Sequence, residues 1–157
     1  MTDTAKAWAG LAKEPSLEEL RQHHALGQLA KTYALGMDLR DYALCRSAFA
    51  PDGVGEARGG MVPIDPYLEG VYAVGSGFHA TQHLIAQQYI HIEGDEAEVW
   101  SYAVAHHKVA PGEARDEIIA GVQYRDRCRR FEQGWLIVER RVHPLWIDIA
   151  PARASRL

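Results

Sequence analysis

The feature that most constrains this chain is an antiparallel hairpin read between residues 81 and 108. Thr81-Gln82-His83-Leu84-Ile85 opens a strand that continues through Gln87, Tyr89 and His91 to a turn at Glu93-Gly94-Asp95-Glu96. Ala97 to Lys108, rich in Val, Trp, Tyr and Ala, is the returning strand. A turn symmetric about Gly94-Asp95 sets Ile92 opposite Ala97 and, counted back without interruption, His83 opposite His106. Alternate strand residues share a face, so His83 and His106 would stand beside Ile85, Tyr89, Trp100, Tyr102 and Val104. Titratable rings on an apolar, aromatic wall point to a binding pocket. Register decides which ring is there, since one bulged residue would send His107 inward in place of His106.

The flanking sequence reads as what closes that pocket. Residues 1–14 read as a loose arm, 15–150 as a single domain and 151–157 as a tail. Ser16 is an N-cap with Glu18 and Glu19 in the first turn, and Leu26, Leu29, Ala30, Tyr33 and Met37 fall at helical spacing. This helix is expected to stop at Gly36-Met37-Asp38, with Asp38 capping a second helix whose inner stripe is Tyr42, Cys45 and Phe49. Pro51-Asp52-Gly53 ends that helix, Val54 to Ala57 reads as a short strand, and Gly59-Gly60 as a loop. A third, shorter helix covers residues 65–72, capped by Asp65 with Pro66 in first position. Two further strands, 118–131 and 135–146, meet at Glu132-Gln133-Gly134, and Ala120, Val122, Tyr124 and Cys128 share a face of the first. Helices first and strands after predict an α+β fold, with three helices packed on a curved, mostly antiparallel sheet.

Several classes are set aside by composition. A net charge of -4 argues against a phosphate-binding nucleic-acid surface, and the local cluster Arg125, Arg127, Arg129, Arg130, Arg140 and Arg141 reads as a solvated strand face. Cys45 and Cys128, without CxxC spacing, suggest a reduced, cytoplasmic chain, and no stretch reaches the ~20 apolar residues of a membrane span. Eight histidines raise the question of a metal. His79 and His83, four apart, would suit a helix, but on a strand such residues lie ~13 Å apart, so neither metal nor cofactor is expected.

Five segments in order resemble one family: Gly36-Met37-Asp38-Leu39-Arg40-Asp41, Phe49-Ala50-Pro51-Asp52-Gly53, Thr81-Gln82-His83, Gly121-Val122-Gln123-Tyr124-Arg125-Asp126, and Arg130-Phe131-Glu132-Gln133-Gly134-Trp135-Leu136-Ile137. From about Leu17 to Trp146 the chain is similar to the SnoaL-like branch of the nuclear transport factor 2-like superfamily. The resemblance implies a cone-shaped α+β barrel with one deep apolar cavity. Members include scytalone dehydratase, hexachlorocyclohexane dehydrochlorinase, polyketide cyclases, ketosteroid isomerase relatives and small subunits of ring-hydroxylating dioxygenases, so fold alone does not fix function.

Carried over by position, the catalytic Asp and His of the dehydratase and dehydrochlorinase match Asp38 and His83. The second histidine of scytalone dehydratase matches Val104-Ala105-His106. The tyrosine, serine and asparagine of that enzyme fall near Ala57, Val122 and Tyr124, where only the Tyr124 phenol could replace a polar group. In chemical terms a neutral imidazole in an apolar pocket can take a proton, a carboxylate fixes its tautomer, and His106 and Tyr124 could donate to a developing oxyanion. The bland alternatives are a helix cap for Asp38 and packing roles for the other three.

The expected function is therefore a cofactor-free dehydratase, cyclase or isomerase acting on a small hydrophobic molecule, aromatic or polyketide- or steroid-like. A non-catalytic small-molecule binder and a dioxygenase small subunit are the alternatives. Tyr33, Phe49, Tyr72, Phe78, Ile85, Val104, Val122 and Trp146 are expected to line the cavity. A homo-oligomer, dimer or trimer, is expected through the open sheet face bearing Trp100, Trp135 and Trp146.

Overall fold

In the computed structural model, which describes residues 14–150, Ser16 starts helix α1 (Leu17–Leu39) with a capping box. Its hydroxyl accepts from the Glu19 amide at 3.2 Å, and the Glu19 carboxylate accepts from the Ser16 amide at 2.7 Å. Leu26, Ala30, Tyr33 and Met37 are buried along one face, as their spacing predicts. The sequence-based expectations for residues 1–13 and 151–157 lie outside the described residues.

The end of α1 differs from expectation. Gly36 does not stop the helix: it lets α2 (Tyr42–Ser47) approach, since a Cβ there would stand 2.5 Å from the Cys45 backbone nitrogen. The stop comes at Arg40, which adopts the left-handed conformation at φ 61°. The N-cap of α2 is Asp41, whose carboxylate accepts from the Leu44 amide at 2.9 Å, so Asp38 is not a cap. Helix α2 is also shorter than its stripe suggests, and Phe49 already belongs to strand β1 (Phe49–Ala57). Gly59 and Gly60, both at positive φ, turn β1 back into β2 (Gly60–Pro63). Helix α3 (Ile64–Ser76) begins one residue before the predicted cap and runs further; Asp65 binds Arg46 at 2.5 Å instead of capping.

Strands β3 (Ala80–Glu93), β4 (Glu96–Lys108), β5 (Glu117–Phe131) and β6 (Gly134–Ala150) complete a curved six-stranded sheet in the order β2-β1-β6-β5-β4-β3. All pairings are antiparallel except β1 with β6. The three helices pack on this sheet, and the core lies between them.

Ile92 pairs with Ala97 as the turn predicts, but the β3–β4 ladder slips between Ile85 and Gln88. Ala86 and Gln87 there oppose Tyr102 alone. The slip turns Gln88 inward, where its amide donates to the buried Ser101 hydroxyl at 3.0 Å and fills the space beside Gly27 of α1. Beyond it His83 pairs with Ala105, not His106. The supposed single face therefore splits in two. His83 and Ile85 share the inner side with Ala103, Ala105 and His107, while Tyr89, Trp100, Tyr102, Val104 and His106 take the outer side.

Candidate active site

Asp38 lies in the last turn of α1, near the carbonyl end of the helix, where the helix dipole disfavours a negative charge. Strand β3 supplies the compensation. One carboxylate oxygen lies 2.7 Å from His83 Nδ1 and accepts from Thr81 Oγ1 at 3.0 Å, and the other accepts from the His83 backbone N–H at 2.8 Å. A carboxylate only accepts, which puts a proton on Nδ1, so that in the neutral ring the lone pair is on Nε2. The His83 side chain is 5 % exposed and that of Asp38 23 %.

The second ring beside His83 is His107, with centroids 5.9 Å apart. Burial, then the neighbouring His83, lowers its pKa, and its buried Nδ1 has no hydrogen-bond partner. Phe78 lies against its other side, with centroids 5.0 Å apart. His106, the ring expected here, points to the outer face because of the slip in β3.

Tyr124 is inward and buried, and burial pushes its pKa up, but its ring meets Tyr33 at 5.8 Å and not His83. Tyr33 stands between them, its own centroid 6.5 Å from His83. Tyr33, Tyr124 and Phe49 close instead around the Arg140 guanidinium, at 4.4, 4.6 and 5.0 Å. Arg140 is fully buried and donates twice to Asp126, at 2.8 and 2.7 Å. Burial opposes its charge, but the Asp126 carboxylate overrides this and raises its pKa. The late arginines are thus not uniformly a solvated face. The missed signal was Asp126 itself, a carboxylate in register with inward Val122, Tyr124 and Cys128, which a sheet interior tolerates only with a partner.

The expected cavity wall disperses in the fold. Tyr33, Phe49 and Val122 belong to the core, Phe78 covers His107, and the Tyr72 hydroxyl donates to the Arg40 carbonyl at 2.5 Å. Val104 is on the outer sheet face, and the half-exposed Trp146 lies there across Gly121. Ile85 helps line a groove of about 290 Å³ between α1 and β3 with Lys31, Ala34, Leu35, Asp38, His83 and Leu84. Asp38 and His83 thus line this groove, while the His83 ring also meets His107.

Helices wrapped on a bent mixed sheet form the cone-shaped α+β fold shared with the solved structures below, and in this chain a carboxylate and a histidine meet where α1 crosses the edge strand. The chain belongs to the SnoaL-like domain family, which matches residues 18–141. It has no match among curated proteins. Solved structures share the fold. A candidate scytalone dehydratase from Novosphingobium aromaticivorans superposes with a TM-score of 0.73 at 21% identity, over 87% of this chain and 92% of that one. A hexachlorocyclohexane dehydrochlorinase from Novosphingobium barchaimii gives 0.73 at 14% identity, over 90% and 97%. The Kfla4162 protein of Kribbella flavida gives 0.73 at 20% identity, over 82% and 93%.

Proposed function

We propose that this protein is a cofactor-free acid–base enzyme of the lyase or isomerase type, acting on a small hydrophobic molecule. The contact of Asp38 with His83 Nδ1 at 2.7 Å carries this reading, because it orients a nearly buried imidazole whose neutral form has its lone pair on Nε2. In this reading His83 removes a proton from the substrate, and Asp38 holds the ring and stabilises the imidazolium that forms. His107 stands where His106 was foreseen; with its ring engaged by the Ile118 backbone, its unpartnered Nδ1 is an acceptor for a hydroxyl of the substrate. Tyr124 packs on Tyr33 and Arg140 and takes no direct part in this reading. Support comes also from the family and from the dehydrochlorinase and candidate dehydratase among the fold relatives, which are enzymes of elimination by name.

The test is a screen of hydroxylated aromatic ketones and polyketide-like compounds for water loss or isomerisation, with His83→Ala and Asp38→Asn in parallel. Turnover is expected to vanish in the first and to fall in kcat with little change in KM in the second. Thermal stabilisation by a compound, with no turnover in any protein, would favour a non-catalytic binder instead.

A further inference from the structure

A stack of rings and charges runs from the surface to the dyad. The Arg115 guanidinium lies 4.4 Å from the Phe78 ring centroid, Phe78 lies 5.0 Å from His107, and His107 lies 5.9 Å from His83. The outermost member sits on the loop of residues 109–116 that joins β4 to β5, with its side chain 44 % exposed. Arg115 also donates to the Gly77 carbonyl, beside Phe78, and pairs with Glu113 of its own loop at 3.5 Å.

Backbone and side chain of Phe78 are held by different means. Arg40 donates to the Gly75 and Phe78 carbonyls, both at 2.6 Å, which pins the short link between α3 and β3. The free motion left to Phe78 is rotation of its side chain, and the group covering that side chain from outside is Arg115. Behind the ring lies His107, whose ring bonds the Ile118 backbone but whose buried Nδ1 has no hydrogen-bond partner, which is costly unless something else engages it. The α1–β3 groove is the poorer reaction chamber. Leu35 and Leu84 on its wall are half-exposed, so water enters freely, and the Asp38 carboxylate facing it already accepts three hydrogen bonds.

We propose that Phe78 and Arg115 form a gate through which the ligand reaches His107 and His83. It rests on reading Asp38 and His83 as the site. Opening breaks the Arg115 stack and its bond to Gly77, Glu113 keeps Arg115 with its loop, and the Phe78 ring swings out to leave an apolar space ending at two imidazoles. Such a space takes a flat, largely apolar molecule carrying a hydroxyl that can donate to His107 Nδ1.

The gate is tested without a substrate, by mapping the rate at which diethyl pyrocarbonate modifies each histidine in the intact protein. Losing the cation–π contact and one hydrogen bond in Arg115→Ala should raise the open population, and the rate at His107, about tenfold, with half-exposed His91 unchanged as the internal reference. Arg115→Lys, which keeps the charge but not the flat stacking surface, should show a smaller rise. An unchanged rate at His107 in Arg115→Ala would overturn the gate. So would an equal rise at every histidine, which would make Arg115 a brace of the whole fold. Because the readout is chemical access, it stands or falls apart from whether any compound is turned over.

Discussion

Asp38 and His83 are joined twice, through the ring nitrogen at 2.7 Å and through the backbone amide at 2.8 Å. The carboxylate thus acts as a clasp on β3, an edge strand of the sheet, as well as a partner for an imidazole. Asp38→Asn should accordingly affect more than activity. An amide cannot accept from all three donors at once, and the loss should be about 1–3 kcal/mol in urea unfolding, with Thr81→Val costing about 1 kcal/mol. Equal stability of both variants with the parent would mean that the clasp contributes nothing.

His107 gives a pH dependence whose sign follows from its lowered pKa. The unfolded chain binds a proton at this residue near pH 6.5 while the folded protein still refuses it, so its contribution is intact above pH 6.5 and is lost as pH falls toward the lowered value. The denaturation midpoint of the parent should therefore fall more steeply below pH 6.5 than that of His107→Gln. Parallel curves for the two proteins would place the titration elsewhere.

The Asp126–Arg140 pair should behave as a structural unit. Removing one partner strands the other charge in the core, and Asp126→Asn or Arg140→Met should each cost about 3–5 kcal/mol. Replacing both by apolar residues should recover much of that. Chemical denaturation of the single and double variants measures the coupling directly.

What could be read before the structure was known divides along local and non-local lines. The Ser16 cap, the helical stripe through Tyr33 and Met37, and the turn at Gly94-Asp95 are written in neighbouring residues, and each was legible. The α1–α2 boundary was not, because Gly36 serves close helix packing, a reason that lies in Cys45 on another element. The slip at Ala86-Gln87 depends on Ser101 and Gly27 receiving Gln88, which no strand pattern contains. The meeting of Asp38 with His83 came from family likeness, and the cage around Arg140 needed four elements to be placed at once.

Assembly should follow the outer sheet face. Tyr89 and Trp146 are exposed there among the described residues, next to Tyr102 and Val104, whereas Trp135 is buried and takes no part. Light scattering at micromolar concentration should give a dimer or trimer, and Trp146→Ser together with Tyr89→Ser should lower the mass. A clean monomer in the parent protein would refute assembly through this face.

The most direct measurement of acid–base function is hydrogen exchange at carbon. Hydroxylated aromatic ketones would be incubated with the protein in D2O, and deuterium incorporation next to the carbonyl followed by NMR for the parent, Asp38→Asn and His83→Ala. A base at His83 predicts exchange well above the solvent rate with at least one compound, reduced in Asp38→Asn and abolished in His83→Ala. Exchange that is the same in the parent and in His83→Ala would contradict the assignment of His83 as the base.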